Sequence, residues 1–217
     1  MKNSSYLKNE LIFSYASGTT SISKSLLAAT YLFLNSNEKK TFSFFENLCG
    51  STLKNYTEIK PKNLTAEDCM IENKTLNPKP ANVKTDINGP LGNFINSYKR
   101  IKWKKIFKGF EEFEFSISPT EKAKLIKLDP NVKIPLHSHQ GKEYVLVLEG
   151  SFQDEFGKYK KGDLQINDLK IKHMPISCPK NGCICLSIVE NDLIFYGPFA
   201  PLLNIITFIK SLFNFNK

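Results

Sequence analysis

The chain has 217 residues, 41% of them hydrophobic, enough for one large domain or two small ones with a real core. Its formal net charge is +9, but the excess is scattered lysine and Arg100 is the only arginine. Clustered, arginine-containing basic patches mark nucleic-acid binders, so this pattern argues against direct nucleic-acid binding.

The first 60 residues show helical spacing. Leu7, Leu11, Ile12 and Tyr15 lie on one face, and Gly18 ends that helix. Ser21 or Ser23 caps a second helix carrying Leu26, Leu27, Ala29, Thr30 and Phe33. A third is predicted from about Glu38 to Tyr56, with Phe42, Phe45, Leu48, Cys49 and Leu53 along one side. Thr65 and Asp68 have the spacing of a capping box opening a short fourth helix with Met70 and Ile71. The stretch from Asn77 to Gly92, with Pro78, Pro80, Gly89 and Pro90, reads as a linker.

After Trp103 the period changes to two. Phe113, Phe115 and Ile117, then Ala123, Leu125 and Leu128, mark short strands. The predicted organisation is therefore α + β: a helical unit over 1–76, a linker over 77–94, a β-barrel over 95–200, and an apolar C-terminal helix or tail over 201–217. That tail is broken by Pro201, Asn204 and Lys210, and no apolar run reaches the roughly 20 residues of a membrane-spanning helix. The five cysteines are odd in number and the first ten residues are polar, which points to a reducing, cytoplasmic setting.

All three histidines fall in one pattern. Residues two apart on a strand share a face, so His137 and His139 aim their rings the same way. Gly141 allows a bend. From Glu143 the chain alternates, with Glu143, Val145 and Val147 on one face and Tyr144, Leu146 and Leu148 on the other. If the valine face lines the barrel, Glu143 points inward with the histidines. His173 follows the Gly162–Asp163 turn and supplies a fourth donor. Three imidazoles and a carboxylate suit a divalent transition ion, zinc first, with iron, nickel and manganese also accepted by such a set. Cys183 and Cys185 share a strand face near this site. They are either a buried thiol pair or a redox-responsive one.

His137, His139, Glu143 and Gly150 resemble the first cupin motif, and Gly162 with His173 the second. Val132, Asp168, Lys170 and Ser177 depart from the pattern at turn positions. The resemblance implies a cupin, a double-stranded β-helix of jelly-roll type. The stretches Glu10–Gly18, Leu26–Leu32, Gly150–Tyr159, His173–Pro175 and Gly182–Leu186 resemble the ChrR-like anti-sigma factors over most of the chain. That resemblance implies a non-enzymatic regulator. Its helices would bind an extracytoplasmic-function-type sigma factor, with Leu11, Ile12, Leu26 and Leu27 as a candidate partner face; the alternative for at least half of those residues is ordinary core packing. Its cupin would sense an oxidant such as singlet oxygen or a peroxide. The family's helical unit holds zinc, but the matching positions here are Tyr6, Tyr31, Asn35 and Glu38. No metal is therefore expected there, and packing by Tyr31, Phe33, Phe42, Phe44 and Phe45 should replace it. The competing readings are a metal-dependent cupin enzyme of dioxygenase type and a stand-alone metal-binding module. Whether barrels pair into homodimers stays open.

Overall fold

The structure, a computed structural model, describes residues 2–54, 56, 57, 88–96, 102–115, 121–198 and 200–205. The predicted capping-box helix around Thr65, Cys69 and the tail beyond residue 205 lie outside them. Three helices open the chain: α1 (Lys2–Ala16), α2 (Ile22–Leu34) and, after a 3-10 turn at Ser36–Glu38, α3 (Lys39–Leu53). Gly18, with φ +69°, turns the chain out of α1. Ser21 caps α2 by accepting the Lys24 N–H at 3.3 Å.

The predicted linker is partly helical. Pro90 opens a short helix α4 (Pro90–Asn96), whose Leu91 and Ile95 are buried beside α2. Proline is at home in a first helical turn, and Leu91 and Ile95 lie one turn apart on one face. Proline and glycine thus mark a helix start here.

The strands follow as β1 (Lys104–Phe107), β2 (Phe110–Phe115), β3 (Lys122–Leu128), β4 (His137–His139), β5 (Glu143–Asp154), β6 (Gly157–Lys160), β7 (Leu164–Asn167), β8 (Ile176–Ser177), β9 (Cys183–Val189) and β10 (Leu193–Phe195). The main sheet runs β1-β2-β3-β9-β5-β6, with β7 and β8 also paired to β5, and β10 pairs β4. Every strand pair is antiparallel. This is the α + β cupin architecture expected from the sequence. Among the described residues no helix is long and apolar enough to cross a membrane.

The two faces of β5 divide the interior as the alternation predicts. Val145 and Val147 point into the barrel with Leu128, Phe152, Cys183 and Cys185. Tyr144, Leu146 and Leu148 face outward and join Leu125, Leu186 and Ile188 in a second core, closed by Leu11, Ile12, Leu27, Ala28 and Tyr31 of α1 and α2. The helices therefore share a core with the outer wall of the barrel. Of the two readings of Leu11, Ile12, Leu26 and Leu27, core packing is the one the structure supports, and the partner face is set aside. Leu11, Ile12 and Leu27 are buried and Leu26 packs partly against the same core.

Polar ties register the helices on the barrel. Lys24 lies between Glu190 (2.7 Å) and Glu121 (3.1 Å), and Lys142 reaches Glu10 at 2.9 Å. The Asn35 amide donates to the carbonyls of Tyr31 and Gly162. The aromatic replacement for zinc is only partly as expected. Tyr31 is buried and donates to Glu38 at 3.2 Å, Phe42 stacks on Tyr15, and Phe45 meets Phe13 edge-on. Phe44 is 62% exposed and Phe33 49%. Phe33 lies flat over Gly89, where any Cβ would fall within 2.8 Å of its ring. Tyr6 is exposed, apart from the other three positions' contacts.

Candidate metal centre

Two strands and one bridged segment bring the four donors together. β4 carries His137 and His139, held on one side by β10, with His139 opposite Leu193 and His137 opposite Phe195. His173 lies across from His137, and the two exchange backbone hydrogen bonds of 3.1 and 3.0 Å. Glu143 is the first residue of β5, opposite Asn167 of β7 and Val189 of β9. All four side chains are buried, and their candidate ligand atoms lie within 4.8 Å of one another. His139 Nε2 is 2.9 Å from Glu143 Oε2 and 3.3 Å from His173 Nε2, and His173 Nε2 is 3.7 Å from the same carboxylate oxygen.

The surrounding hydrogen bonds fix where the lone pairs point. A carbonyl oxygen only accepts, so His137 donates from Nδ1 to Pro135 at 2.8 Å and keeps Nε2 bare. A carboxylate also only accepts, so His173 donates from Nδ1 to Asp154 at 3.1 Å. Glu143 is held by Asn167 Nδ2 at 3.0 Å and Ser187 Oγ at 3.5 Å. Bare imidazole nitrogens packed against a buried carboxylate need a proton or a cation between them. Bonds of 2.0–2.2 Å to one tetrahedral ion would set the ligands about 3.4 Å apart. The cluster thus has the chemistry and spacing to hold a divalent ion.

The electrostatics agree. Burial lowers His137 from 6.5 to about 4, against the attraction of Glu143, so it is neutral at pH 7. Burial alone would raise Glu143. The charge of His139 and its hydrogen bond, with the charges of His173 and His137, outweigh it and hold the carboxyl at about 2. A neutral imidazole and an ionised carboxylate are the forms that ligate metal.

The depressed His137 predicts a pH effect on the metal-free protein. Between pH 6.5 and 4 the unfolded chain takes up a proton that the folded chain refuses. The contribution is therefore complete above pH 6.5 and is lost as pH falls toward 4, by on the order of 3 kcal/mol. Denaturant titrations of chelator-treated protein across that range measure it, and a flat profile would contradict it.

Sequence reasoning missed four residues around this cluster: Asp154, Gln165, Asn167 and Ser187. The alternation of β7 held a signal for two of them. Leu164 and Ile166 face the helices, so Gln165 and Asn167 must enter the barrel, where a polar side chain needs a polar purpose. Ser177, a departure from the motif, accepts the Val132 N–H at 2.9 Å and donates to the Asp129 carbonyl at 2.6 Å, fixing the turn before β4. Cys183 and Cys185 lie deeper in the barrel, with Sγ atoms 3.2 Å apart and both side chains buried. The hydrogen bond with Cys183, burial, and the charges of Cys183 and Glu143 push the Cys185 thiol well up.

A helical unit packed on a barrel with a buried three-histidine, one-glutamate cluster defines a cupin of composite type. Residues 93–190 match the family model of the ChrR Cupin-like domain. The whole chain is 25% identical over 202 residues to the anti-sigma-E factor ChrR of Cereibacter sphaeroides, covering 91% of this chain and 94% of that protein. The crystal structure of Rhodobacter sphaeroides SigE in complex with the anti-sigma ChrR matches with a TM-score of 0.69 at 24% identity, over 84% of this chain and 96% of that one. This match shows a shared fold. An RmlC-like cupin protein from Ralstonia eutropha matches more weakly, with a TM-score of 0.42 at 21% identity over 46% of this chain and 69% of that one. The family resemblance drawn from the motifs is borne out.

Proposed function

We propose that this protein is a non-enzymatic anti-sigma regulator. Its helical unit sequesters an extracytoplasmic-function-type sigma factor, and its cupin holds one divalent ion, zinc first among the candidates, on His137, His139, Glu143 and His173. The observation that carries this reading is the alignment with an anti-sigma factor across helices and barrel alike. The surface adds support. With one face of α1 and α2 committed to the barrel, Phe13, Phe44, Leu48 and Leu53 stay exposed on α1 and α3, an apolar surface of the kind that partners cover.

Sensing follows from the shared core. Glu143 opens the strand whose next outward residues, Tyr144 and Leu146, support α1 and α2. A bound ion would tie β4, β5 and the His173 segment together and supply the state difference that regulation needs. An oxidant that displaces it would loosen the wall on which the helices rest, and sigma affinity would fall with it. No zinc is assigned to the helical unit, where Tyr31 and Glu38 bond each other directly.

Co-purification with a candidate extracytoplasmic-function-type sigma factor tests this. A stable complex is expected under reducing conditions with metal present. Peroxide, singlet oxygen or a chelator should weaken it at least tenfold. Absence of any complex under reducing conditions would overturn the reading.

A further inference from the structure

We infer that Asp154 is a positioning residue of the metal centre: its buried carboxylate fixes His173 as the Nδ1–H tautomer and so keeps Nε2 bare toward the ion. This role rests on the metal reading proposed above, although the tautomer is also a property of the metal-free chain.

The side chain of Asp154 is shielded from solvent and accepts four hydrogen bonds. Oδ2 takes the His173 Nδ1–H at 3.1 Å and the Gln165 amide at 2.6 Å. Oδ1 takes the backbone N–H groups of Phe156 at 2.9 Å and Gly157 at 3.1 Å. The carboxylate is thus locked by the β5–β6 turn before it meets the imidazole. The other two histidines are held less firmly. Among the described residues, His137 Nδ1 meets the neutral Pro135 carbonyl, and the buried His139 Nδ1 has no hydrogen-bond partner. Among the described residues, His173 is the histidine with an anionic partner on its far nitrogen, the arrangement that orients a ligating imidazole.

The path of β5 makes this contact possible. Glu143 and Asp154 are its first and last residues, and a straight strand of that length would separate them by about 36 Å. Both nevertheless reach the same ring, Glu143 at Nε2 and Asp154 at Nδ1. A register shift between Val147 and Glu149 bends the strand, and Gly150, at φ +66°, bends it further. A Cβ on Gly150 would sit 2.2 Å from the Gly182 carbonyl oxygen, so only glycine allows the curl.

The test is Asp154→Asn in the full chain. Asparagine can still accept the two backbone N–H groups through its oxygen, but its amide nitrogen then faces His173 Nδ1. Two donors cannot meet, so the imidazole shifts its proton to Nε2, the position the ion requires bare. Long-range 1H–15N spectra read this directly, because the chain has three histidines. Metal-free wild type should show His173 protonated at Nδ1 and bare at Nε2, and the variant should show the reverse. Zinc affinity, measured by competition with a chromophoric chelator, should fall about 10–100-fold, and the cobalt-substituted absorption spectrum should change. A purely structural Asp154 would lower thermal stability and leave the tautomer and cobalt spectrum alone, which would overturn the role. So would a metal-free wild type with His173 protonated at Nε2, a result that needs no variant. If wild type binds no zinc, the metal reading fails while the tautomer still decides the role of Asp154.

Discussion

Leu146→Ala will destabilise the protein by about 2–5 kcal/mol and will move helix and barrel unfolding together. Leu146 is fully buried in the middle of β5, on the face turned away from the barrel interior. It shares a core with Leu164 and Leu186 of the sheet and with Leu27 and Ala28 of α2. Truncation leaves a cavity where sheet and helix meet, and neither element can collapse into it without leaving the other. Far-UV circular dichroism follows the helices. Trp103, the single tryptophan, packs against this core and reports the barrel side by fluorescence. The two signals should give one denaturation midpoint, shifted equally by the substitution. A helical transition that stays in place while the barrel signal moves would show two separate cores.

That shared core was the least legible part of the chain. The alternation of Glu143 to Leu148 specified two faces, because a strand has only two and valine and leucine sort between them. It did not say what covers the leucine face. An apolar stripe such as Leu11, Ile12 and Leu27 reads the same whether it meets a sheet of its own chain or a partner. The candidate metal cluster was legible for the opposite reason. Its donors are rare residue types, and strand periodicity alone aims His137, His139 and Glu143 at one point. Asp154 was hidden because its relation to His173 depends on the curl of β5, which arises from a register shift and Gly150. Pro90 was misread because the same residue that breaks a helix also opens one. Phe33 and Phe44 were assigned to a core by type alone, whereas helix geometry turns them outward.

Glu143→Gln should have the largest effect of any single change at the site, through two routes that pH and zinc separate. The first route is the metal. An amide oxygen replaces the only anionic ligand of the cluster, and losing a direct ligand should weaken zinc binding by more than the roughly 100-fold that a supporting residue can cost. Saturating zinc at about 100 times Kd adds roughly 2.7 kcal/mol to wild-type stability, and the variant should gain almost none of it at the same concentration. The second route operates without metal. The Glu143 carboxyl lies at about 2 in the folded protein against 4.5 in the unfolded chain, because His139 and the neighbouring imidazoles outweigh the cost of burial. A depressed carboxyl stabilises the fold above pH 4.5, and that contribution disappears as pH falls toward 2. Glutamine mimics the protonated form, so the metal-free variant should be less stable than metal-free wild type by on the order of 3 kcal/mol at pH 7. The gap should narrow steadily below pH 4.5. Denaturant titrations of both proteins at pH 7, 4 and 2.5, each with and without zinc where zinc still binds, resolve the two routes. Equal zinc stabilisation of variant and wild type at pH 7 would remove Glu143 from the ligand set. A gap that persists unchanged to pH 2.5 would mean that the carboxylate contributes by shape and packing, since most of the stability linked to its ionisation is gone there.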